Sequence, residues 1–253
     1  MMTFARRFTA YSVLGLAAFL GGGALLVFML FLYIGPLKLV DLGLAESTSL
    51  LFDACLCLAF FVQHSVMIRR SVRQRLAGVI PAQYDIALFA IVSGVVLMML
   101  IVFWQESAYT ITAPQGIVRW LLRGVFFLSL AFFAWGWRAL GVFDPFGLIP
   151  ILDHMRGTKR PPSPLIARGP YRWVRHPLYI SLILMIWSFP DLTADRLLFN
   201  VLFTAFCIIG TVLEERDLAA SFGEAYLDYK TRVPMLIPYR VPGPHTDGSV
   251  MRS

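Results

Sequence analysis

The chain has 253 residues, of which 58% are hydrophobic and only 15% are charged. Soluble domains carry roughly 25% charged residues, and the apolar residues here fall in blocks long enough to cross a bilayer, so a soluble globular protein is excluded. The net charge of +7 fits basic loops that face anionic lipid headgroups and requires no nucleic-acid partner. The three cysteines, Cys55, Cys57 and Cys207, lie in apolar runs and predict neither a disulfide nor a metal site.

Four long apolar segments lie within residues 1–143 and predict four membrane-spanning helices. They run from about Tyr11 to Ile34, from Thr48 to Met67, from Tyr84 to Trp104 and from Gly116 to Phe143. Three consecutive glycines, Gly21 to Gly23, lie inside the first segment. Because no strand precedes them, they do not form a phosphate-binding loop, and they predict close packing against another helix instead.

The second part of the chain begins with a long polar connection over residues 144–176. It is rich in Pro, Gly and basic residues, and we predict a loop on the cytoplasmic side. Two shorter apolar segments follow, about Leu178 to Phe189 and about Arg196 to Leu213, with Pro190-Asp191 between them. They predict a short helical hairpin whose first helix is barely long enough to cross a bilayer.

Beyond Glu214, apolar residues recur at helical spacing. They are Leu218, Phe222, Tyr226, Tyr229 and Val233, and charged residues occupy the opposite face. This pattern predicts a C-terminal amphipathic helix. The helix lies either on the cytoplasmic membrane surface or against the protein's own loops, and the sequence favours neither. Residues 241–253 are predicted to be a flexible tail.

Basic residues are distributed unevenly between the predicted spans. Lys and Arg number 2, 1, 4, 0, 6, 1 and 5 in the successive connecting segments, with Arg196 counted in the turn before the last span. Because cytoplasmic loops are enriched in Lys and Arg, this alternation places both termini in the cytoplasm. Arg119 and Arg123 fit that topology less well, since they then lie toward the outer face.

These patterns together predict an all-α membrane protein. We expect one integral-membrane domain over residues 1–253, in which a bundle of about six membrane-embedded helices ends in the short hairpin. Four spans fill residues 1–143, and residues 144–240 form the predicted ligand-binding and catalytic portion. The predicted location is the bacterial inner membrane, with several passes across the bilayer.

The most informative polar stretch is Arg168-Gly-Pro-Tyr-Arg-Trp-Val-Arg-His-Pro-Leu-Tyr179, which directly precedes an apolar helix. Pro177 is predicted in the first helical turn, where its missing N–H is not needed. His176 then lies at a helix N-terminus, where backbone donors and the helix dipole favour an anionic group. A basic loop that binds lipid phosphates would give the same pattern.

Two further polar groups lie where predicted helices end. Glu214-Glu215 follow the last span and, opposite a basic helix N-terminus, would suit a zwitterionic ligand; a salt bridge to Arg172 or Arg175 is the alternative. Gln63-His64-Ser65 end the second span. His64 is either a functional group or a satisfied helix-end histidine, because polar groups at this depth are costly unless they are paired or functional.

Two motifs in this part of the chain resemble those of a known family. The stretch Gly169-Pro-Tyr-Arg-x-x-Arg-His-Pro-Leu-Tyr179 resembles the Arg-His-Pro-x-Tyr motif of integral-membrane methyltransferases, the group of isoprenylcysteine carboxyl methyltransferases and phospholipid methyltransferases. The stretch from Glu214-Glu215 through Phe222-Gly223 to Pro238 resembles the second motif of that group. Both motifs occur in the family's order, with a helical hairpin between them.

A narrower resemblance is to the bacterial methanethiol S-methyltransferases. Phe61-Val-Gln-His-Ser-Val-Met67, with its following arginines, resembles their second span, and Phe103-Trp104 and Asp144-Pro-Phe-Gly147 also have counterparts there. The likeness covers about residues 50–240. One position departs from it, because Ser181 stands two residues after the motif Tyr where many relatives have Gly. A serine there would tighten the cofactor pocket or shift the cofactor.

The resemblance implies S-adenosylmethionine as cofactor and methyl donor. The residues that it assigns to cofactor binding are Arg175, His176, Pro177, Leu178, Tyr179, Glu214 and Glu215. Arg175 and His176 would bind the cofactor's carboxylate, and Glu214 or Glu215 would bind its ammonium group or ribose hydroxyls. The remaining three would line the adenine or the sugar.

The implied reaction is methyl transfer to a small thiol, from methanethiol to dimethyl sulfide, at the cytoplasmic face. The thiol must lose its proton, so a base or a nearby cation is needed, and His64, Arg69 and Arg175 are the candidates. Charge cancels when a thiolate attacks a sulfonium, so a dry site favours the transition state. The lipid bilayer is a route of entry for an apolar thiol, and no obligate protein partner or nucleic acid is predicted.

The sequence is also compatible with three other functions. The first keeps the donor and changes the acceptor to a prenylcysteine carboxylate or a phospholipid amine. The second is a membrane sterol or enone reductase that binds NADPH, a group whose similar motif usually has Asn where this chain has Leu178. The third is a non-enzymatic membrane factor related to nitrite and nitric oxide metabolism.

Overall fold

A computed structural model describes residues 4–158, 160–161 and 164–240, without the side chains of residues 4–6, 70 and 71. The predicted flexible tail, residues 241–253, lies outside the described residues. Within them the chain forms ten α-helices, two short strands, one π-helical turn and two 3₁₀ turns. The α-helices are α1 (Phe4–Leu16), α2 (Gly23–Ile34), α3 (Glu46–Ile68), α4 (Arg70–Leu76), α5 (Asp85–Phe103), α6 (Gly116–Leu140), α7 (Leu148–Arg156), α8 (Pro177–Trp187), α9 (Ala194–Phe222) and α10 (Glu224–Arg232). The π-helical turn is Ala17–Gly22, the 3₁₀ turns are Ala82–Tyr84 and Gly169–Arg172, and the strands β1 (Thr110–Thr112) and β2 (Leu192–Thr193) form a two-stranded sheet.

Five helical segments of the described chain are long and apolar enough to cross a membrane. They are Arg7–Ile34, Glu46–Ile68, Ala82–Phe103, Gly116–Leu140 and Ala194–Phe222. α8 is apolar too, but its 11 residues are fewer than the roughly 20 that a span needs. The predicted all-α, multi-pass membrane bundle is confirmed, with the short helix in the place where the hairpin was expected.

The chain divides into two compact units, and each is described by itself. The first contains residues 1–109, 144–161 and 193–199, and the second contains residues 110–143, 162–192 and 200–253. α9 therefore begins in the first unit and continues in the second. The single domain over residues 1–253 stays a prediction.

The glycine-rich part of the first unit packs tightly. The π-helical turn separates α1 from α2 where the sequence predicts one uninterrupted span. A Cβ on Gly94 would lie 2.4 Å from the carbonyl oxygen of Leu20, and a Cβ on Gly21 would lie 3.2 Å from the Cβ of Ala90. The close helix packing predicted from the three glycines is therefore confirmed at Gly21, whereas a Cβ on Gly23 would meet nothing within 4 Å.

The predicted loop over residues 144–176 is wrong at α7, which forms a regular helix of the first unit. The Asp144 carboxylate accepts a hydrogen bond from the N–H of Ile149 at 2.6 Å and so caps the first turn. Gly147 has φ +68°, and a Cβ there would lie 2.4 Å from the backbone nitrogen of Ala87. Ile151 is buried in a small apolar cluster. The helix thus forms because its apolar face is covered.

A buried polar network joins several segments of the first unit. Asp195 accepts hydrogen bonds from the Trp104 indole at 2.9 Å and from the N–H of Ser107 at 3.1 Å. Asp53, which is fully buried, accepts one from the N–H of Gln105 at 3.0 Å. Burying a carboxylate costs free energy unless the group is hydrogen-bonded. These hydrogen bonds therefore fix the chain after α5 to α3 and to the start of α9.

In the second unit, the two arginines near the start of α6 are paired. Both guanidinium NH2 nitrogens of Arg119 donate to the carboxylate of Asp191, at 2.7 and 2.6 Å. The Arg123 guanidinium lies 5.2 Å from the ring centroid of Phe189. The predicted topology places these two arginines toward the outer face, against the positive-inside rule. The turn after α8 provides a partner for each of them.

α9 is longer than predicted. The apolar pattern predicts its end at Leu213, whereas the helix continues to Phe222 and stops at Gly223, which has φ +55°. The residues between are mostly good helix formers with neither Gly nor Pro among them, so nothing ends the helix where its apolar character ends. Glu214 and Glu215 consequently lie inside a helix.

The C-terminal amphipathic helix is split, because only α10 follows the break at Gly223. Tyr226 and Tyr229 of α10 are buried in a cluster with Leu165 and with partly buried residues of the last turns of α9. The apolar face is therefore turned toward the protein's own loop. The loop-packing alternative is the one confirmed for these residues.

Replacing Gly94 with Ala is expected to lower the free energy of unfolding by about 1–3 kcal/mol, because the new Cβ overlaps backbone atoms of Leu20. Gly124→Ala is the matched control: it also lies within a helix, and its Cβ would meet nothing within 4 Å. Thermal unfolding of the detergent-solubilised variants checks this. Equal melting temperatures for the two variants would contradict the close approach.

Candidate active site

The stretch from Arg168 to Tyr179 is anchored to the end of α6. Its first part is the 3₁₀ turn at Gly169, whose φ is +57° and whose Cβ would lie 3.2 Å from that of Ala139. The Arg168 guanidinium Nε donates to the carbonyl of Ala139 at 2.9 Å. The polar stretch is thus a fixed turn in the second unit.

Pro177 begins α8, and His176 directly precedes it, as predicted. The backbone N–H groups at this turn are already used. That of Arg175 donates to the carbonyl of Pro234 at 2.9 Å, and that of His176 donates to the carbonyl of Met235 at 3.1 Å. An anionic ligand at this helix end must therefore use side chains or the N–H groups of the next residues.

Glu215 is held by two cations. Its Oε1 accepts a hydrogen bond from Arg175 Nε at 2.7 Å and contacts Nη2 of the same guanidinium, while its Oε2 lies 3.0 Å from Lys230 Nζ. Arg175 Nη1 donates to the carbonyls of Lys230, at 3.0 Å, and Val233. Arg175 is 9% exposed and Glu215 is 6% exposed. The alternative interpretation of this acid, a salt bridge to Arg175, is confirmed.

His176 lies between the twin acids. The residue is 4% exposed; its Nε2 is 3.4 Å from Glu215 Oε1 without hydrogen-bond geometry, and its Nδ1 is 3.9 Å from Glu214 Oε2. Burial lowers the pKa of the His176 imidazole below its usual range, and the carboxylate of Glu215 opposes that shift only in part. The ring is therefore neutral at pH 7, with one nitrogen that donates and one that accepts.

Glu214 differs from its neighbour in its surroundings. Its carboxylate interacts electrostatically with the Tyr179 side chain, and the His176 ring lies edge to face with the Tyr179 ring, with centroids 5.8 Å apart. The side chain of Glu214 keeps 45% of its surface exposed. Of the two acids, Glu214 is the one whose carboxylate can reach a ligand.

α8 is packed between α6 and α9 through glycines. A Cβ on Gly136 would lie 3.0 Å from Cδ2 of Leu178 and 3.5 Å from Cγ of Pro177. A Cβ on Gly210 would lie 3.5 Å from the ring of Tyr179. The three residues assigned to the adenine and the sugar are thus also packing residues of α8.

Ser181, which stands in place of the expected glycine, is fully buried. Its hydroxyl donates to the carbonyl of Pro177 at 2.6 Å, within α8. The hydroxyl is therefore satisfied by its own helix and does not require a ligand.

Three residues that the sequence analysis left without a role complete the cluster. Lys230 closes the second side of Glu215, and the Tyr229 hydroxyl donates to the carbonyl of Tyr171 at 2.5 Å. Burial raises the pKa of the Tyr226 phenol to about 12. The helical spacing of the two tyrosines predicts their burial on the apolar face of the helix. Nothing in the sequence distinguishes Lys230 from the other charged residues of the opposite face.

His64 and Arg69 belong to the first unit, whereas every residue assigned to the cofactor belongs to the second. The His64 ring lies 4.8 Å from the ring of Phe89 and 5.4 Å from that of Phe60, measured between centroids. Arg69 is exposed directly after α3.

Comparison with known proteins agrees with the motifs. The family described as "NnrU protein" matches residues 54–235. A methanethiol S-methyltransferase of Pseudomonas sp. (strain GM41(2012)) is 36% identical over 203 residues, which are 78% of this chain and 76% of the relative. Methanethiol S-methyltransferase 2 of Bradyrhizobium diazoefficiens is 33% identical over 81% of this chain and 80% of its own length.

A more distant relative comes from an animal. Nurim of Mus musculus is 30% identical over 67% of this chain and 68% of its own length. No solved structure matches the chain significantly. The resemblance drawn from the two motifs is confirmed by these relatives. The chain therefore belongs to the NnrU protein family, within the group of integral-membrane methyltransferases that includes the methanethiol S-methyltransferases.

Proposed function

We propose that this chain is an S-adenosylmethionine-dependent methyltransferase that methylates a small thiol, converting methanethiol to dimethyl sulfide. The observation that carries the proposal is the meeting of His176 with Glu214 and Glu215, from segments about 40 residues apart, at the end of an apolar helix. The names of the relatives support the reaction and the thiol. The basic loops favour a site at the cytoplasmic face of a bacterial inner membrane.

The residues of the cluster fit the amino-acid part of the cofactor. His176 has a buried nitrogen without a hydrogen bond inside the described chain, and as a donor it suits a carboxylate. Glu214 keeps exposed carboxylate surface and suits an ammonium group or ribose hydroxyls. Pro177, Leu178 and Tyr179 offer an apolar wall for the adenine or the sugar.

Arg175 was assigned a direct contact with the cofactor, and its surroundings favour another role. All three guanidinium nitrogens face acceptors of the protein, in Glu215 and in the carbonyls of residues 230 and 233. We propose that Arg175 positions Glu215 and the C-terminal segment. Its positive charge would then attract the carboxylate of the cofactor without contacting it directly.

Bound S-adenosylmethionine supplies an electrophilic methyl group on a sulfonium sulfur. The protein's contribution is to hold the donor's charged end, to keep water out and to take the proton of the thiol. His64, Arg69 and Arg175 stay the candidates for removing that proton or for stabilising the thiolate that is left.

Cells that express the wild-type chain and receive methanethiol are expected to release dimethyl sulfide, which headspace gas chromatography measures. Cells with His176→Ala are expected to release none above the empty-vector background, because the cofactor no longer binds. A prenylcysteine or phospholipid substrate methylated instead of the thiol would shift the proposal to the alternative acceptor. Absence of methyl transfer to any acceptor by folded protein would favour the non-enzymatic membrane factor.

Replacing Glu214 and replacing Glu215 are expected to have different effects. Glu214→Gln should lower the affinity for S-adenosylhomocysteine about tenfold or more and leave the melting temperature unchanged, since an exposed charge-assisted contact is lost. Glu215→Gln should destabilise the folded protein by about 3 kcal/mol, because Arg175 is left buried without its partner. Calorimetry and thermal unfolding in detergent separate the two; the opposite assignment would contradict the proposed roles.

Stabilisation by S-adenosylhomocysteine but not by NADPH is also expected in the same unfolding assay. Stabilisation by NADPH alone would support the reductase.

The neutral state of His176 predicts a pH dependence. Its pKa is lower in the folded chain than the unfolded value of about 6.5, so the unfolded state binds more protons in acid. The resulting stability is complete above about pH 6.5 and falls as the pH drops from there through the folded pKa. Melting temperatures between pH 5 and 8 should therefore fall less steeply in His176→Gln than in the wild type. Parallel curves would mean that His176 does not titrate differently on folding.

A further inference from the structure

The lysine on the second side of Glu215 has donors that can reach a ligand. Lys230 Nζ lies 3.0 Å from Glu215 Oε2, and the Lys230 side chain keeps 49% of its surface exposed. An ammonium group has three N–H donors and no acceptor. Within the described residues, one of these donors faces Glu215, which leaves two for a group that approaches from the surface.

The arginine of the same cluster offers no such donor. Arg175 is buried, and its guanidinium nitrogens face Glu215 and the carbonyls of residues 230 and 233. His176 in its neutral form supplies one N–H. A ligand carboxylate at this cluster therefore needs a further cation, and Lys230 is the accessible one next to Glu215.

The four charged groups of the cluster fall into two sets. Arg175 and Glu215 form a buried ion pair whose charges cancel. Lys230 and Glu214 have opposite charges, and each keeps nearly half of its side-chain surface exposed. Since His176 is neutral, one cation and one anion are left for a ligand.

The two exposed charges lie at the ends of one series of contacts within the second unit. Glu214 Oε2 is 3.9 Å from His176 Nδ1, and His176 Nε2 is 3.4 Å from Glu215 Oε1. The other oxygen of Glu215 contacts Lys230. An anion and a cation placed in this way are complementary in charge to a zwitterion, which carries an ammonium group beside a carboxylate.

We infer that Lys230 binds the carboxylate of the cofactor's amino-acid part, while Glu214 binds its ammonium group. This inference rests on the proposed function and adds a binding residue to which the family resemblance gives no role. Glu215 already holds the Lys230 ammonium in place, so less side-chain freedom is lost when the ligand binds. Glu215 thus contributes to binding through Lys230 and needs no contact with the ligand.

The test compares two ligands that differ only in this carboxylate. They are S-adenosylhomocysteine and its decarboxylated analogue, which keeps the amine, the sulfide and the adenosine. Calorimetry of the purified protein in detergent gives both dissociation constants. The wild type is expected to prefer S-adenosylhomocysteine. Lys230→Met is expected to reduce that preference about tenfold, the effect of one charge-assisted hydrogen bond.

Three further variants separate this contact from other effects of charge. Lys230→Arg keeps the cation and is expected to retain most of the preference. Arg232→Met removes a cation of the same helix that is exposed and paired with Asp228, so both dissociation constants are expected to stay unchanged. Glu214→Gln is expected to weaken the binding of both ligands alike, because both keep the ammonium group and the ribose.

The stability of the variants is measured alongside. The melting temperature of Lys230→Met is expected to stay within about 4 °C of the wild type, because a half-exposed ion pair contributes little. Lys230→Gln keeps an amide donor for Glu215 and carries no charge. It is expected to reduce the preference as Lys230→Met does, and it decides the question if Lys230→Met does not fold.

An unchanged preference in these two variants would overturn the inference. Equal losses of affinity for both ligands would overturn it as well, because Lys230 would then act only by holding Glu215. Wild-type protein that binds neither ligand would contradict the proposed function itself. That result differs from a wild type that binds both ligands and a Lys230 variant that binds them equally well.

Discussion

The buried ion pair between Arg175 and Glu215 is the interaction on which the candidate site depends. It joins the turn before α8 to α9, which are 40 residues apart along the chain, and Lys230 brings in the C-terminal helix. Two charges leave water at a cost of several kcal/mol each unless both are hydrogen-bonded. Here the carboxylate has both oxygens contacted and the guanidinium has carbonyls for its remaining nitrogen. These contacts fix the position of Arg175, and they therefore also fix the backbone of the neighbouring His176.

That constraint gives the twin acids separate roles. Glu215 is paired within the protein, so under the proposed function Glu214, whose side chain is 45% exposed, is the acid left for a ligand. His176 between them is buried and neutral, which makes it a hydrogen-bond donor without adding a charge to an already balanced cluster. A zwitterionic group would meet a donor and a carboxylate in fixed places. Methyl transfer depends chiefly on such positioning, since the charges of the reactants cancel in the transition state.

Much of this could be predicted from the sequence because membrane spans and helix ends leave strong signals. Long apolar blocks gave the spans, and Pro177 placed the start of α8 correctly. The end of α9 was missed because hydropathy stops at Leu213 while helix propensity continues to Phe222. α7 was missed for the opposite reason: nine residues in a Pro- and Gly-rich connection carry little pattern, and packing around Ile151 decides the outcome.

In the candidate site, the features that the sequence does not predict are contacts between residues that are far apart along the chain. The sequence brought Arg175 and Glu215 forward as alternatives, a ligand pair or an ion pair, and only coordinates distinguish them. Lys230 belonged to a polar helical face like its neighbours, so nothing local marked it as the second cation. Arg196 was counted in a connecting turn, yet it is buried and donates to the carbonyl of Leu32 at 3.0 Å. Pairing between distant segments has no signature in a single sequence.

The most direct measurement is isotope transfer by the purified protein in detergent. S-adenosylmethionine carrying a trideuterated methyl group is mixed with unlabelled methanethiol, and the headspace is examined by mass spectrometry. We expect dimethyl sulfide three mass units heavier than the unlabelled compound, in amounts equal to the S-adenosylhomocysteine formed. Folded wild-type protein that yields no labelled dimethyl sulfide would contradict the account.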